Sequence, residues 1–80
     1  MQVRLSSAFR VGNDAEETLE LQAEDIGEMI TVLLERYPNM QAIMDRGIAV
    51  SIDGRIFRDD WTQPIPAEAE VFLIPRVEGG

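Results

Sequence analysis

The residue types that usually carry chemistry are scarce in this chain of 80 residues. It contains no Cys, His or Lys, and therefore no thiol nucleophile, no imidazole base and no lysine amine. Its acidic side chains are scattered along the sequence, whereas a cation site needs ligands that converge. We therefore expect a protein that is not an enzyme, with no catalytic side chain, no metal site and no bound cofactor.

The remaining candidate for a reactive group is the carboxyl of Gly80, which follows Gly79 at the end of the sequence. A carboxylate is a poor electrophile, so it must be activated, most simply as an acyl-adenylate, before a nucleophile can take it. Two residues without a Cβ fit a narrow active-site passage and accept backbone angles that are closed to other residues. Because glycine is also common in frayed chain ends, the pair acquires this meaning only from the domain that carries it.

Composition limits the partners. The formal net charge of −8 predicts repulsion from nucleic acid and attraction to a partner with a basic docking surface, although the same charge also keeps small proteins dispersed. No apolar run approaches the roughly 18–20 residues that a membrane span needs, and no basic-then-apolar leader opens the sequence. We expect an acidic cytoplasmic protein that makes no contact with a membrane and is a monomer when free.

A helix is the clearest of the elements that must position the terminus. Its apolar residues recur at the spacing of one helical face. They are Ile26, Met29, Ile30, Leu33, Leu34 and Tyr37. Asp25 precedes this face as a predicted N-cap, with Glu28 three residues later, and Pro38 is expected to end the helix.

Strands are predicted on both sides of this helix. An opening strand that includes Val3, Leu5, Phe9 and Val11 should form a hairpin with residues 18–21 across a turn at 12–14. Residues 48–52 alternate and are followed by Asp53-Gly54, the pair preferred in a type I′ hairpin turn. This turn places Val50 opposite Phe57. Residues 71–74 form the last strand, which Pro75 ends.

The order of elements predicts an α+β protein of the β-grasp (ubiquitin-like) class, in which a mixed sheet of about five strands packs on one main helix. The last strand should lie centrally, beside the first. We expect residues 1–75 to form the domain and 76–80 a flexible tail. Because residues two apart share a face of a strand, Val71 and Leu73 should point toward the helix, and Phe72 and Ile74 outward, where they can dock a partner.

Four stretches resemble the MoaD/ThiS family of sulfur carrier proteins. They are residues 25–38, 50–54, 64–65 and 70–80. The resemblance covers essentially the whole chain, and the tail is its most specific part. It implies that an E1-like adenylating enzyme activates Gly80 with ATP and that the resulting acyl group becomes a thiocarboxylate. It also implies a sulfur-accepting synthase subunit as partner and assigns clearance to Gly79. We expect Arg76 and Val77 to take part in docking together with Phe72 and Ile74.

The sulfur acceptor stays open between molybdopterin, thiazole and related biosyntheses. Ser6-Ser7 and Arg76 replace residues that are usual in molybdopterin-type members. Two other functions also fit the same sequence: a ubiquitin-like modifier joined to proteins through Gly80, and a β-grasp interaction domain whose glycine tail has no chemistry.

Overall fold

The computed structural model describes residues 1–10, 16–58 and 60–75. It contains five strands, three α-helices and one 3-10 turn within these ranges. In chain order they are β1 (Gln2–Leu5), α1 (Ser7–Arg10), β2 (Thr18–Glu20), α2 (Ile26–Arg36), the 3-10 turn (Pro38–Met40), α3 (Gln41–Asp45), β3 (Ile48–Ile52), β4 (Arg55–Arg58) and β5 (Glu70–Pro75).

The strands form one mixed sheet in the order β2-β1-β5-β3-β4. β1 and β5 run parallel, and the other neighbours are antiparallel. The last strand therefore lies at the centre of the sheet, beside the first, as the sequence predicts. The β3–β4 hairpin has the expected register, with Val50 opposite Phe57, and both turn residues have positive φ (49° at Asp53 and 91° at Gly54). The α+β, β-grasp class is confirmed.

Helix α2 begins and ends close to the predicted residues. Its N-cap, Asp25, has extended backbone angles, and its Oδ1 accepts a hydrogen bond of 2.8 Å from the N–H of Glu28. This bond satisfies one of the N–H groups that a helix leaves unpaired in its first turn. At the other end, Pro38 starts the 3-10 turn, and the Tyr37 N–H donates to the carbonyl of Leu33.

The core lies between the sheet and the apolar face of α2. Ile26, Met29, Ile30 and Leu33 are buried there in one cluster with residues of all three central strands. Leu34 and Tyr37, also predicted for this face, are partly buried against the cluster. Within the described ranges, no helix is long and apolar enough to cross a membrane.

The predicted opening strand is too long. It ends at Leu5, and Phe9 belongs to the short helix α1. The Ser6 N–H donates to the carbonyl of Leu73 and the Phe9 N–H donates to the carbonyl of Ser6, so the chain turns where a longer strand would continue. This turn buries the Phe9 ring completely. Val11 and the predicted turn at 12–14 lie outside the described residues.

Candidate functional site

Strand β5 carries the described residues that the sequence assigns to docking. Val71 and Leu73 are buried on the face toward α2, and Phe72 is 38% exposed on the opposite face. Ile74, two residues further along, is half-buried. The alternation follows from the pleat, since one face of this central strand meets the core and the other meets solvent. The outward orientation of Phe72 and Ile74 agrees with the sequence-based expectation.

The residues beside Phe72 form a row across the outer face of the sheet. Arg4 of β1 and Ser51 of β3 lie opposite Phe72, and Ile56 of β4 lies opposite Ser51. Neighbouring strands are about 4.8 Å apart, so this row brings two exposed apolar side chains within reach of one partner surface. Ile56 is the more exposed, at 59%.

A second row on the same face lies nearer to the end of β5. Ile74 is opposite Ala49, and Ala49 is opposite Arg58. We call the surface formed by the two rows the outer face. Its apolar residues are interspersed with arginines, although the chain as a whole is strongly acidic. A surface of this kind suits a partner that offers apolar area together with some acidic groups.

A shallow hollow of about 520 Å³ continues the outer face toward the start of β5. Asp53 and Glu70 are among the residues that line it. Their backbones are joined, since the Asp53 N–H donates to the Glu70 carbonyl and the Glu70 N–H donates to Asp53 Oδ1, both at 2.9 Å. Asp53 therefore fixes the β3–β4 turn to the central strand, and its carboxylate has a structural role.

The predicted tail residues Arg76, Val77, Gly79 and Gly80 lie outside the described part of the chain. Pro75, the last described residue, pairs with Ile48 in the sheet. Among the residues described, no group of three or more acidic side chains is arranged to hold a metal ion. Ser6 Oγ is buried beside the start of α1 without a hydrogen-bond partner in the described structure.

Two features of the outer face could not be assigned a role from the sequence. Ile56 carries no signal of its own, although the turn at Asp53-Gly54 fixes the register that places it opposite Ser51. In the sequence, Arg4 is an ordinary charged residue. Only the parallel pairing of β1 with β5 puts it next to Phe72. The pairing of Ile56 with Ser51 could therefore be derived from the sequence. The position of Arg4 beside Phe72 could not, because it depends on the order of the strands in the sheet.

No protein-family model matches this chain, and no curated protein matches it significantly. Solved structures do match it. The chain is similar to a chain of the BexX/CysO complex of Amycolatopsis orientalis, with a TM-score of 0.77 and 18% sequence identity over 99% of this chain and 98% of the other. It is similar to SAMP1 of Haloferax volcanii, with a TM-score of 0.76 and 19% identity over 100% of this chain and 98% of the other. At this identity the likeness establishes the architecture alone: the chain has the ubiquitin-like β-grasp fold.

Proposed function

We propose that this protein is a sulfur carrier of the MoaD/ThiS type whose working group is the carboxyl of Gly80. The observation that carries the proposal is the coincidence of a β-grasp fold with a Gly79-Gly80 pair that follows its central strand. The structural likeness to a chain of the BexX/CysO complex and to SAMP1 supports the ubiquitin-like fold that this proposal requires, over 99% and 100% of this chain.

The small number of residues between the sheet and the glycine pair suits this role. Five residues follow Pro75, the end of β5, up to and including Gly80, and a fully extended chain of that length spans at most about 18 Å. A partner that docks on the outer face can therefore reach the carboxyl with a nearby active site. Gly79 lacks a Cβ and leaves clearance in a narrow passage.

The chemistry takes place in partner enzymes. An E1-like enzyme binds ATP, and the Gly80 carboxylate attacks the α-phosphorus, which forms the acyl-adenylate and releases pyrophosphate. Hydrosulfide then attacks the acyl carbon and expels AMP with loss of a proton, which leaves a thiocarboxylate on Gly80. The sulfur source must be external, because this chain contains no Cys. A sulfur-accepting synthase, of molybdopterin, thiazole or a related product, takes the sulfur.

Docking is assigned to Phe72 and Ile74 on the outer face and to Arg76 and Val77 in the tail. A few side chains supply most of the binding energy of an interface, and aromatic residues and arginines are enriched at interfaces. The net charge of −8 favours partners whose active-site entrance is basic and predicts binding that weakens as salt is added.

Intact-mass spectrometry tests the proposal. The protein is produced together with a candidate E1-like enzyme, ATP and a sulfide source, and its mass is measured. The expected product has one oxygen replaced by sulfur, located at Gly80 by fragmentation. A variant that lacks Gly80 is the control, because it should fold equally well and gain no sulfur. If wild-type protein forms an acyl-adenylate but never gains sulfur, the carrier function is wrong.

Mass measurement on protein from its native cells separates the carrier from the modifier. The carrier function requires a free carboxyl or thiocarboxylate at Gly80. A ubiquitin-like modifier would instead appear as adducts in which the Gly80 carbonyl is bonded to a lysine amine of another protein. The chain has no Lys, so lysine-linked chains of the protein itself are excluded in either case.

A further inference from the structure

Strand β4 forms one edge of the sheet and pairs, among the described residues, with β3 alone. Its two-residue turn sets which backbone groups face outward. In such a hairpin the residues that flank the turn, Ile52 and Arg55, form backbone hydrogen bonds with each other. Hydrogen-bonded and non-hydrogen-bonded pairs then alternate along the two strands. The N–H and C=O groups of Arg55 and Phe57 therefore point toward β3, and those of Ile56 and Arg58 point away from the sheet. This edge can pair with one more strand.

A groove of about 450 Å³ runs beside β4 on the side of the sheet that faces α2. Its apolar lining comes from the β3–β4 hairpin, with Ile52 and Phe57, and from the loop before β5, with Pro64, Ile65 and Pro66. A strand added to β4 would place the side chain opposite Phe57 over this groove, because that residue shares the inner face of the pleat. The groove is thus aligned with the open edge.

The loop that contributes to the groove is held in place at the start of α2. The Ile26 N–H donates to the Gln63 carbonyl at 3.1 Å, and the Gly27 N–H donates to the Trp61 carbonyl at 2.8 Å. The Ile65 N–H in turn donates to the carbonyl of Glu24 at 2.9 Å. These bonds fix the loop against a helix terminus, so the groove exists before a partner arrives and little ordering entropy is lost on binding.

The charges of β4 select the partner. Arg55 and Arg58 are exposed at the two ends of the strand, and neither pairs with a carboxylate of the described residues. Between them lie Ile56, largely exposed, and Phe57, whose ring has the Arg55 guanidinium 5.6 Å from its centre. The edge therefore presents a cation, two apolar side chains and a second cation, in a protein whose net charge is −8.

We propose that β4 is a docking edge for an extended segment of a partner protein with the pattern acidic, apolar, apolar, acidic. Backbone hydrogen bonds to Ile56 and Arg58 hold the segment. Its acidic residues face the two arginines, one apolar side chain extends the outer face beside Ile56, and the other enters the groove beside Phe57. Because the pattern reads the same in both directions, it fits parallel and antiparallel addition. The edge shares Ile56 and Arg58 with the outer face, but strand pairing at β4 does not involve the carboxyl of Gly80.

A second copy of this chain fits the edge less well. Two β4 edges would bring like arginines together. The opposite edge, β2, has only three residues (Thr18–Glu20), and its Glu20 carboxylate already pairs with the Met1 ammonium group at 3.2 Å. The net charge of −8 on each copy adds repulsion.

Nuclear magnetic resonance with a synthetic peptide tests the proposal on the full chain. The probe is an acetylated, amidated peptide with the core Glu-Ile-Val-Glu flanked by glycines. Saturable binding should shift the amide resonances of Ile56 and Arg58 and slow their hydrogen exchange. The amides of Arg55 and Phe57, already bonded to β3, should keep their exchange rates. Shifts centred on Phe72 without protection of the β4 amides would overturn the proposal.

Matched controls separate backbone pairing from charge attraction. A peptide with lysines in place of the glutamates should bind at least tenfold more weakly. A peptide N-methylated at the central residues should lose most of its affinity, because it cannot donate to the edge. The double variant Arg55→Gln, Arg58→Gln should weaken the original peptide about tenfold, since each exposed charge pair contributes modestly. Equal binding of either control peptide contradicts the proposal.

Two further measurements distinguish this edge from the tail and from self-association. A variant without Gly79 and Gly80 should bind the peptide with unchanged affinity, because the tail takes no part in strand pairing at β4. A large loss of affinity in that variant would overturn the proposal. Sedimentation of the protein alone should give a monomer over the concentrations used. If the β4 amides become protected as the protein concentration rises without peptide, the occupant is a second copy and the proposed partner is wrong.

Discussion

The two faces of β5 serve the molecule differently. On the inner face, Val71 and Leu73 are buried in the core with residues of β1 and β3. On the outer face, Phe72 has a similar apolar character but is more than a third exposed, and its neighbours across the sheet are Arg4 and Ser51. Adjacent residues of one strand therefore have opposite surroundings.

This difference separates stability from recognition. Burial of the inner face removes apolar surface from water and stabilises the fold. The apolar side chains on the outer face add less to stability, because water still contacts a large part of them. Their free energy of transfer remains available to a partner that covers them. Substitutions along β5 should accordingly alternate in effect.

The largest effect is expected at Leu73, which is fully buried. Leu73→Ala removes buried methyl groups and leaves a cavity at the centre of the sheet, which should lower the free energy of unfolding by about 3 kcal/mol. Urea denaturation measures it. Phe72→Thr on the same strand is the matched control. Similar losses in both variants would remove the distinction between the two faces.

A smaller loss is expected at Val71, where the change alters polarity and keeps the volume. Val71→Thr replaces a buried methyl by a hydroxyl in an apolar cluster, and the loss should be about 2 kcal/mol because a hydroxyl buried without a partner is costly. The same denaturation experiment applies. A loss below about 0.5 kcal/mol would indicate that the inner face of β5 admits a polar group, and the contrast with Phe72 would then rest on volume alone.

How far sequence predicts this molecule depends on whether a signal is local. Helix α2 has a spacing, a cap and a stop within its own residues, and the β3–β4 hairpin has its Asp53-Gly54 turn. Both form as predicted. The turn that ends β1 has no such signal, because a hydrogen bond from Ser6 to Leu73, far along the chain, determines it. The error at Phe9 follows from that long-range contact.

Gly27 illustrates the same limit inside a correctly predicted helix. In the sequence it is only a weak helix former in the first turn. In the structure, a Cβ at this position would lie 3.0 Å from the Trp61 carbonyl oxygen, so the glycine allows the loop to pack closely on α2. The outward side of Phe72 could be predicted from strand period and sheet order. The close contact between the loop and Gly27 could not be predicted, because a backbone atom, the Trp61 carbonyl oxygen, makes it.

A substitution at the helix cap tests how much the stability of the fold depends on α2, the helix that covers the inner face of the sheet. Asp25→Ala removes the acceptor for the Glu28 N–H and should lower the free energy of unfolding by about 1 kcal/mol. Urea denaturation again measures the change. Glu24→Ala is the matched control, because the Glu24 side chain is exposed and only its carbonyl is used. If the two variants are equally stable, the hydrogen bond at the cap does not contribute to the stability of the fold.

The smallest effect on stability is expected on the outer face. Phe72→Thr keeps a residue suited to a strand and exposes no new core surface, so the free energy of unfolding should change by about 0.5 kcal/mol or less. If the outer face docks the adenylating partner, the same change should raise the partner's KM for this protein about tenfold, a loss of about 1.4 kcal/mol, with kcat little altered. Steady-state pyrophosphate release measures both constants. If KM is unchanged and the variant is as stable as the wild type, the exposed Phe72 does not take part in docking. The face of β5 away from the core would then be ordinary apolar surface.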